Sequence, residues 1–246
     1  YSYDWSYNEQ GNPVLNGISM KKYLDDAGTT PAADTDWFDE TTRTGVVQQY
    51  NVSVSKGSDK GSSFFSLGYY KNLGIIKHSD FNRFSARMNT EYKLLKNNSL
   101  TVGEHFTVNR TSEVAAPGGF LQNVLQFNPS LPIYTEDGNY AGPVGGYPDR
   151  YNPVAVLERN KDNRYTYWRM FGDAYVNLNL FKGFNIRSTF GLDYSQKQQR
   201  FFTYPVTEGN VANDKNAVEA KQEHWTKWMW NAVATYNKEI GQHRFD

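Results

Sequence analysis

The feature that most constrains this chain is a two-residue alternation of apolar and polar side chains along seven long segments. Successive side chains of a β-strand point to opposite faces, so this period predicts strands with one apolar and one polar face. In one segment Ala174, Val176 and Leu178 occupy every second position, with polar residues or tyrosine between them. An eighth strand begins near His243. The seven segments are 46–56, 62–72, 81–94, 99–110, 164–180, 184–197 and 223–238.

The connections between these segments alternate between short and long. The short ones are typical of tight turns at one end of a sheet, and the longest, 111–163, lies at the other end. An outer-membrane β-barrel has this asymmetry, with short periplasmic turns, longer extracellular loops and long tilted strands. Strands of a soluble sandwich are usually about 5 or 6 residues long. The fold class predicted from the pattern is therefore all-β, a transmembrane antiparallel β-barrel, here a partial barrel of about 7 or 8 strands.

Composition supports this class and excludes others. Aromatic residues are abundant, at 6 Trp, 18 Tyr and 15 Phe, which suits the aromatic girdles of a membrane barrel. Lys and Arg number 26 and Asp and Glu number 26, so we expect no nucleic acid partner. Cysteine is absent, which excludes disulfides and thiolate metal sites. Every apolar run is too short for a membrane-spanning helix, which needs roughly 18 residues.

We expect the chain to be a piece of a longer protein. It does not begin with Met, any export signal is expected to lie outside these residues, and its last strand starts near the end of the sequence. A small closed barrel normally ends on a complete strand, so an open, unfinished sheet is the predicted arrangement.

Several strings resemble the SusC/RagA family of TonB-dependent outer-membrane transporters, found in Bacteroidetes-type bacteria. They follow one another in the family's order across about residues 34–238, which is more specific than any single string. Lys56 stands where the family commonly has glycine. The strings are 34–40 (DTDWFDE), 49–57 (QYNVSVSKG), 64–70 (FFSLGYY), 74–77 (GIIK), 81–89 (FNRFSARMN), 127–134 (FNPSLPIY), 137–140 (DGNY), 151–155 (YNPVA) and 191–194 (GLDY).

The resemblance implies an outer-membrane importer of a Gram-negative bacterium that takes up oligosaccharides or peptides through a gated barrel. It implies a SusD-like surface lipoprotein and the TonB energy-transducing complex as partners, beside outer-membrane lipid and the glycan or peptide substrate. Family barrels have about 22 strands, and the family's plug domain and TonB-contacting segment match none of these residues. Residues 1–45 are expected to be an upstream loop and approach, and 46–246 part of the barrel.

The polar faces of the strands provide the candidates for a substrate path through the lumen. They are Arg83, Arg87, Arg169, Asp173, Arg187 and Asp193. The loop 111–163 is long enough to suggest a binding or gating role, with one predicted helix at 118–128. Its candidates for contact with a ligand or with the lipoprotein are Tyr134, Tyr140, Tyr147 and Tyr151.

No catalytic, cofactor-binding or metal-ligating residues are predicted, and the chain is not expected to be an enzyme. Asp173 and Asp193 fall on neighbouring strands, as paired glycosidase carboxylates would, but Arg169 and Arg187 favour neutralised lumen charges instead. Trp228 and Trp230 share a face, where a membrane girdle is favoured over sugar stacking.

Two functions of other kinds stay open at this point. One is a secreted carbohydrate-binding β-sandwich, which would be soluble without detergent and would use exposed Trp and Tyr rings. The other is a small outer-membrane adhesin barrel, which would insert and refold unaided.

Overall fold

The computed structural model describes residues 2–19, 21–95, 97, 99–240 and 243–245. Most of the chain is β-strand, with three short helices. The elements in chain order are β1 (Ser2–Tyr7), β2 (Pro13–Ser19), α1 (Trp37–Thr41), β3 (Val46–Ser58), β4 (Gly61–Leu73), β5 (Asp80–Leu94), β6 (Leu100–Val114), α2 (Phe120–Gln126), α3 (Pro153–Asn160), β7 (Arg164–Phe181), β8 (Phe184–Thr203), β9 (Val206–Glu208), β10 (Val211–Asn213), β11 (Ala217–Tyr236), β12 (Lys238–Ile240) and β13 (His243–Phe245).

Seven long strands form one antiparallel sheet in the order β11-β8-β7-β6-β5-β4-β3. Except for the small β9–β10 hairpin between β8 and β11, spatial neighbours are also neighbours in the chain, as in an up-and-down barrel. In the described part of the chain the edge strands β3 and β11 do not pair with each other, so the sheet is open. The predicted partial, antiparallel sheet is confirmed.

The register sorts the side chains onto two faces, because directly paired residues lie on the same side of a sheet. The predicted alternation is therefore continuous across all seven strands. One line of paired residues on the apolar face joins Val54, Phe65, Met88, Phe106, Gly172, Leu192 and Trp228. The adjacent line on the polar face joins Ser55, Phe64, Asn89, His105, Asp173, Gly191 and Met229.

The apolar face of the sheet is exposed. Val52, Trp228 and Trp230 are 73%, 70% and 67% accessible, and similar side chains surround them. Burial of apolar surface stabilises a protein by about 25 cal/mol per Å², so water is an unfavourable solvent for so large a patch. Exposed apolar surfaces of this size mark contact with a partner or a membrane.

The short turns lie at shifted positions in the register, which indicates that the strands tilt. The turn after Ser58 of β3 is level with Tyr92 of β5, and β5 continues two residues further, to Leu94. Because β5 and β7 both pair with β6, Leu178 of β7 can be placed level with Leu94 of β5. Strand β7 continues three residues further, to Phe181. With ~3.3 Å per residue and ~4.8 Å between strands, this stagger across four strand spacings corresponds to a tilt of about 40°. Membrane barrels tilt their strands by about 35–45°.

The height of the apolar face matches a bilayer. On β7 it extends from Trp168 to Leu180, which is about 40 Å along the strand and about 30 Å in height at this tilt. A hydrocarbon core is about 30 Å thick. At the turn end Phe181 and Phe184 stack with ring centroids 5.0 Å apart, and the ring of Tyr236 lies 6.2 Å from that of Phe181.

The hydrophobic core lies in the loops at the other end of the sheet. These loops, together with the residues before β3, form a folded layer that we call the loop cap, residues 21–45, 74–79, 115–163 and 204–216. Leu24, Ile76, Ile133, Tyr147 and two valines of α3 pack against its buried residues. The buried residues are Trp37, Phe120, Val124, Phe127, Leu131, Val144 and Leu157.

Several element boundaries differ from the sequence prediction. β6 continues to Val114, β8 to Thr203, and β11 begins at Ala217, so the two longest connections are shorter than predicted. Towards the loop cap the alternation fades, as in the polar run from Gln196 to Arg200, so periodicity did not extend these strands. Residues 1–45, expected to be a loop, contain the β1–β2 hairpin and α1.

The helices are short. The helix predicted at 118–128 is confirmed as α2, whereas α1 and α3 were not predicted. Across the described ranges, no helix combines the length and the apolar character needed to cross a membrane.

We expect a charge on the apolar face to destabilise the protein far more than the same charge on the polar face. In the complete protein, Val176→Arg should cost about 2–4 kcal/mol near the bilayer midplane, and Asn177→Arg should cost less than about 1 kcal/mol. Refolding into lipid vesicles over a urea titration, followed by heat-modifiable gel mobility, measures both. Equal costs at these adjacent positions would contradict the assignment of the faces.

Candidate functional site on the polar face and in the loop cap

All six residues predicted for the lumen lie on the polar face of the sheet. The register places them there because they are an even number of residues apart within each strand and are paired with polar-face residues of the next strand. They come from three strands, β5, β7 and β8. The residues are Arg83, Arg87, Arg169, Asp173, Arg187 and Asp193.

Arg169 and Asp193 form a two-point ion pair between β7 and β8. Arg169 Nε donates to Asp193 Oδ1 at 3.0 Å, and Nη2 donates to Oδ2 at 2.7 Å. This fork geometry is the strongest arrangement for arginine and carboxylate. The pair neutralises both charges and holds both side chains against the polar face of the sheet.

Arg187 instead packs on an aromatic ring. Its guanidinium carbon lies 3.8 Å from the ring centroid of Tyr175, and the Tyr175 hydroxyl donates to Glu91 Oε2 at 2.5 Å. The ring lies flat over Gly103, where a Cβ atom would come within 2.6 Å of it. Glycine opposite an aromatic residue is a recognised way to hold such a ring flat against a sheet.

Asp173 lies beside a histidine. Its Oδ2 lies 3.2 Å from Nδ1 of His105, on the neighbouring strand β6. Both carboxylates of the glycosidase alternative, Asp173 and Asp193, therefore contact basic side chains. Arg169 and Arg187 were both predicted to be neutralising neighbours of these carboxylates; Arg169 pairs with Asp193, whereas Arg187 packs on Tyr175.

The loop cap is assembled around the string 34–40. Asp36 caps α1, accepting from the backbone N–H groups of Phe38 and Asp39 at 3.0 Å each. The helix starts at Trp37, whose Nε1 donates to the carbonyl of Asn128 at 3.0 Å and whose ring meets Phe127 edge-on at 4.8 Å. Residues 34–40 therefore hold the start of the chain against the long loop.

Arg43 extends this contact to the β4–β5 loop. Its side chain donates to the carbonyls of Gly74 at 3.0 Å and Ser79 at 2.7 Å. Lys77 of the β4–β5 loop contacts α1 in turn, because its Nζ donates to the carbonyl of Glu40 at 2.7 Å. One short segment before β3 thus joins two loops that come from different hairpins.

Asn152 is the buried polar centre of the long loop. Its side-chain oxygen caps α3 by accepting from the N–H groups of Val154 and Ala155, at 3.0 and 3.3 Å. Its amide nitrogen donates to the carbonyls of Ile133 and Ala141, at 3.0 and 2.9 Å. Every hydrogen-bonding site of this fully buried amide is therefore used within one loop.

Glu208 links this centre to the β8–β11 connection. It is 1% exposed, accepts from the Asn152 backbone N–H at 3.0 Å, and forms an ion pair with Arg159 of α3. The two loops approach so closely that a Cβ atom at Gly142 would lie 2.1 Å from the carbonyl oxygen of Glu208. We call Asn152, Arg159 and Glu208 the loop latch.

The four candidate tyrosines of the long loop are not equivalent. Tyr134 and Tyr140 pair through a β-bridge, with ring centroids 5.2 Å apart, and Tyr134 is 49% exposed. Tyr151 is 39% exposed. Tyr147 packs against the buried cluster of the cap, with its hydroxyl 2.8 Å from Ser130 Oγ.

The hydroxyl of Tyr140 in the cap has a raised pKa. Burial raises the pKa of its hydroxyl, and the neighbouring Tyr134 and Glu158 raise it further. Glu158 itself has a lowered pKa because Lys161 donates a hydrogen bond to it. Tyr140 therefore keeps its hydroxyl proton at neutral pH and remains a hydrogen-bond donor.

Sequence reasoning missed the loop latch. The Asn152-Pro153 pair was a usable signal, because Asn is a favoured helix cap and Pro suits the first helical position. Nothing in the sequence around Glu208 distinguishes it from an exposed loop carboxylate. In the described part of the chain, no three His, Asp or Glu residues form a group that could hold a metal ion.

A tilted antiparallel sheet with an uncovered apolar face, a polar opposite face and loops capping one end is a segment of an outer-membrane-type β-barrel. No protein-family model matches the chain. It is 31% identical over 225 residues to TonB-dependent receptor P26 of Formosa agariphila, covering 89% of this chain and 22% of that protein. It is 25% identical over 278 residues to TonB-dependent receptor SusC of Bacteroides thetaiotaomicron, covering 100% of this chain and 27% of SusC.

Solved structures share the fold. The RagAB peptide importer in the open-open state superposes with a TM-score of 0.66 at 19% identity, over 87% of this chain and 25% of that chain. Its closed-closed state gives a TM-score of 0.62, also at 19% identity, over 86% and 24%. The chain is a barrel segment of the SusC/RagA family of TonB-dependent receptors. It spans about a quarter of the length of the relatives that it matches.

We expect Glu208→Ala to loosen the loop cap. Removing one partner of a buried ion pair leaves the other uncompensated and costs about 3–5 kcal/mol when both are fully buried. Because Arg159 is partly exposed, a smaller loss is expected, of about 2 kcal/mol. Hydrogen exchange in the complete receptor should show faster exchange in both 139–160 and 204–213.

Glu219→Gln is the matched control, because Glu219 is an exposed carboxylate on β11. Unchanged exchange in both loops of the Glu208→Ala variant would contradict the role of the latch.

Proposed function

We propose that this chain is part of a TonB-dependent nutrient importer of the SusC type in the outer membrane of a Gram-negative bacterium. The observation that carries the proposal is the sheet itself, with an apolar face about as tall as a bilayer and a charged, hydrogen-bonded face on the other side. The names of the relatives, TonB-dependent receptors and a peptide importer, support it.

In this mechanism the two faces of the sheet have separate tasks. The apolar face meets lipid, and the polar face lines the path of the nutrient. Arg83, Arg87, Arg169, Asp173, Arg187 and Asp193 are proposed to line that path. Residues 46–246 would supply about a third of the barrel and 1–45 its approach, with the plug domain elsewhere in the polypeptide.

The driving force is proposed to come from the TonB complex, acting through a plug domain as in the family that the chain resembles. The proposed cargo is an oligosaccharide or a peptide. No covalent chemistry is assigned, and the pairing of Asp173 with His105 and of Asp193 with Arg169 supports structural roles for both carboxylates.

A SusD-like surface lipoprotein is the proposed partner of the loop cap. Helix α2 supports this, because Phe120 and Val124 are buried on one side while Leu121 and Leu125, on the other, are 49% and 78% exposed. An exposed pair of leucines one helical turn apart is a typical contact for a partner. Tyr134, Tyr140 and Tyr151 are proposed to extend this surface, and Tyr147 to support it from below.

The alternatives fit the fold less well. A β-sandwich buries the apolar faces of two sheets against each other, whereas the apolar face here is exposed. A small adhesin barrel closes on itself, whereas β3 and β11 are free edges in the described residues.

Deletion of the gene for the complete receptor tests the function. Growth of the native bacterium on oligosaccharide or peptide mixtures should slow, while growth on the corresponding monomers should not change, because monomers pass through porins. Disruption of TonB should give the same pattern. Unchanged growth on every oligomer would contradict the proposal.

The partner surface has its own test. Leu121→Asp with Leu125→Asp should reduce co-purification of a surface lipoprotein with the complete receptor by about tenfold or more, since an apolar contact is lost on both sides. Gln122→Asp is the control, because Gln122 is an exposed polar residue on the same helix. Equal co-purification of both variants would place the partner elsewhere.

A further inference from the structure

The cations of the polar face are not equivalent. Arg169 is paired with Asp193, and Arg187 packs on Tyr175. Arg83 and Arg87 are exposed, and within the described residues neither has a carboxylate at ion-pair distance. They are therefore the arginines of this face whose charge is available to a ligand.

Their surroundings leave the two guanidinium groups accessible. Arg87 is paired in register with Ser66 on one side and Thr107 on the other, both short side chains. Its Nε lies 3.4 Å from Asn89 Oδ1, at the limit of a hydrogen bond. Arg83 lies 5.8 Å from the ring centroid of Tyr70.

A groove adjoins Arg83 near the loop cap. It has a volume of about 330 Å³ and is lined by Thr111, Glu113, Tyr165, Tyr167 and Lys197. Thr111 is the register partner of Arg83 on one side and of Tyr167 on the other, so the groove begins one strand away from Arg83.

The groove has aromatic walls and a positively charged rim. Lys197 Nζ lies 4.9 Å from the ring centroid of Tyr165, which meets Phe201 edge-on at 5.2 Å. Glu113 is the one carboxylate in the lining. With Arg83 beside the groove, positive charge exceeds negative charge there by one, and Arg87 lies four residues further along β5, about 13 Å from Arg83.

We propose that this part of the polar face is a subsite for a carboxylate-bearing segment of the transported oligomer. Arg83 and Arg87 bind the carboxylate, and the groove between Tyr165 and Tyr167 holds an adjacent ring. Arginine suits this task because its planar fork matches a carboxylate and it remains charged at any physiological pH. The proposal rests on the importer function and narrows the cargo to acidic oligomers, either acidic peptides or uronate-containing oligosaccharides.

Two matched pairs of probes are used. The members of each pair differ in charge and have a similar shape, and comparison of the two pairs distinguishes a peptide carboxylate from a uronate carboxylate. One pair is a blocked pentapeptide of tyrosine and glycine with a central glutamate, and the same peptide with glutamine. The other is hexagalacturonate and its methyl ester. Binding to the complete receptor in detergent is measured by calorimetry at low and at moderate salt.

The wild-type receptor should bind at least one acidic probe more tightly than its neutral match. The double variant Arg83→Gln/Arg87→Gln should bind that acidic probe about 5- to 30-fold more weakly, since each exposed ion pair contributes up to about fivefold in affinity. The neutral match should change by less than about twofold, and the effect should shrink with salt. Tyr167→Leu should weaken the binding of both the acidic probe and its neutral match.

Lys71→Gln is the control for net charge, because Lys71 lies on the apolar-face side of neighbouring β4. It should leave the binding of every probe unchanged. Arg83→Lys/Arg87→Lys should retain part of the preference for the acidic probe.

Two results would overturn the subsite. One is equal binding of the acidic probe by the wild type and the double variant. The other is an equal loss for acidic and neutral probes together with a lower melting temperature, since the arginines would then hold the receptor's own structure. Uptake of oligomers by the wild-type receptor is measured separately. If the receptor still imports oligomers, either result refutes the subsite but not the importer function.

Discussion

The structure depends on one constraint: a seven-stranded sheet presents an apolar face that the described residues leave uncovered. In water this face would be unstable, whereas in lipid it is the favoured surface, provided that strand hydrogen bonds are made within the sheet. The other features follow from this. The polar side chains must lie on the opposite face, and the hydrophobic core that a soluble protein would place under its sheet lies in the loop cap, around Trp37 and Leu131.

The polar face of the sheet carries many charged side chains close to one another. One pair of these charges, Arg169 and Asp193, is compensated within the sheet, and Asp173 lies beside His105, whereas Arg83 and Arg87 have no carboxylate at ion-pair distance among the described residues. Gly103 lets Tyr175 lie flat against the sheet while preserving its hydrogen bond to Glu91.

The sequence was informative wherever apolar and polar side chains alternate and uninformative where they do not. Alternation predicted all seven strands and both faces because the two faces of the sheet differ in polarity at every second residue. It failed at the ends of β8 and β11 next to the loop cap, where the alternation is lost. It also failed for α3, a helix of two turns that depends on Asn152 and on distant packing. The pairing of Asp173 with His105 depends on register, which no single segment contains.

The loop latch has a consequence for movement. Since Asn152, Arg159 and Glu208 tie α3 to the β9–β10 hairpin, these two segments are joined to each other although they belong to different strand connections. The joined segments connect to the sheet at the ends of β6, β7, β8 and β11. A displacement of either segment would therefore act on four strand ends at once rather than on one hairpin.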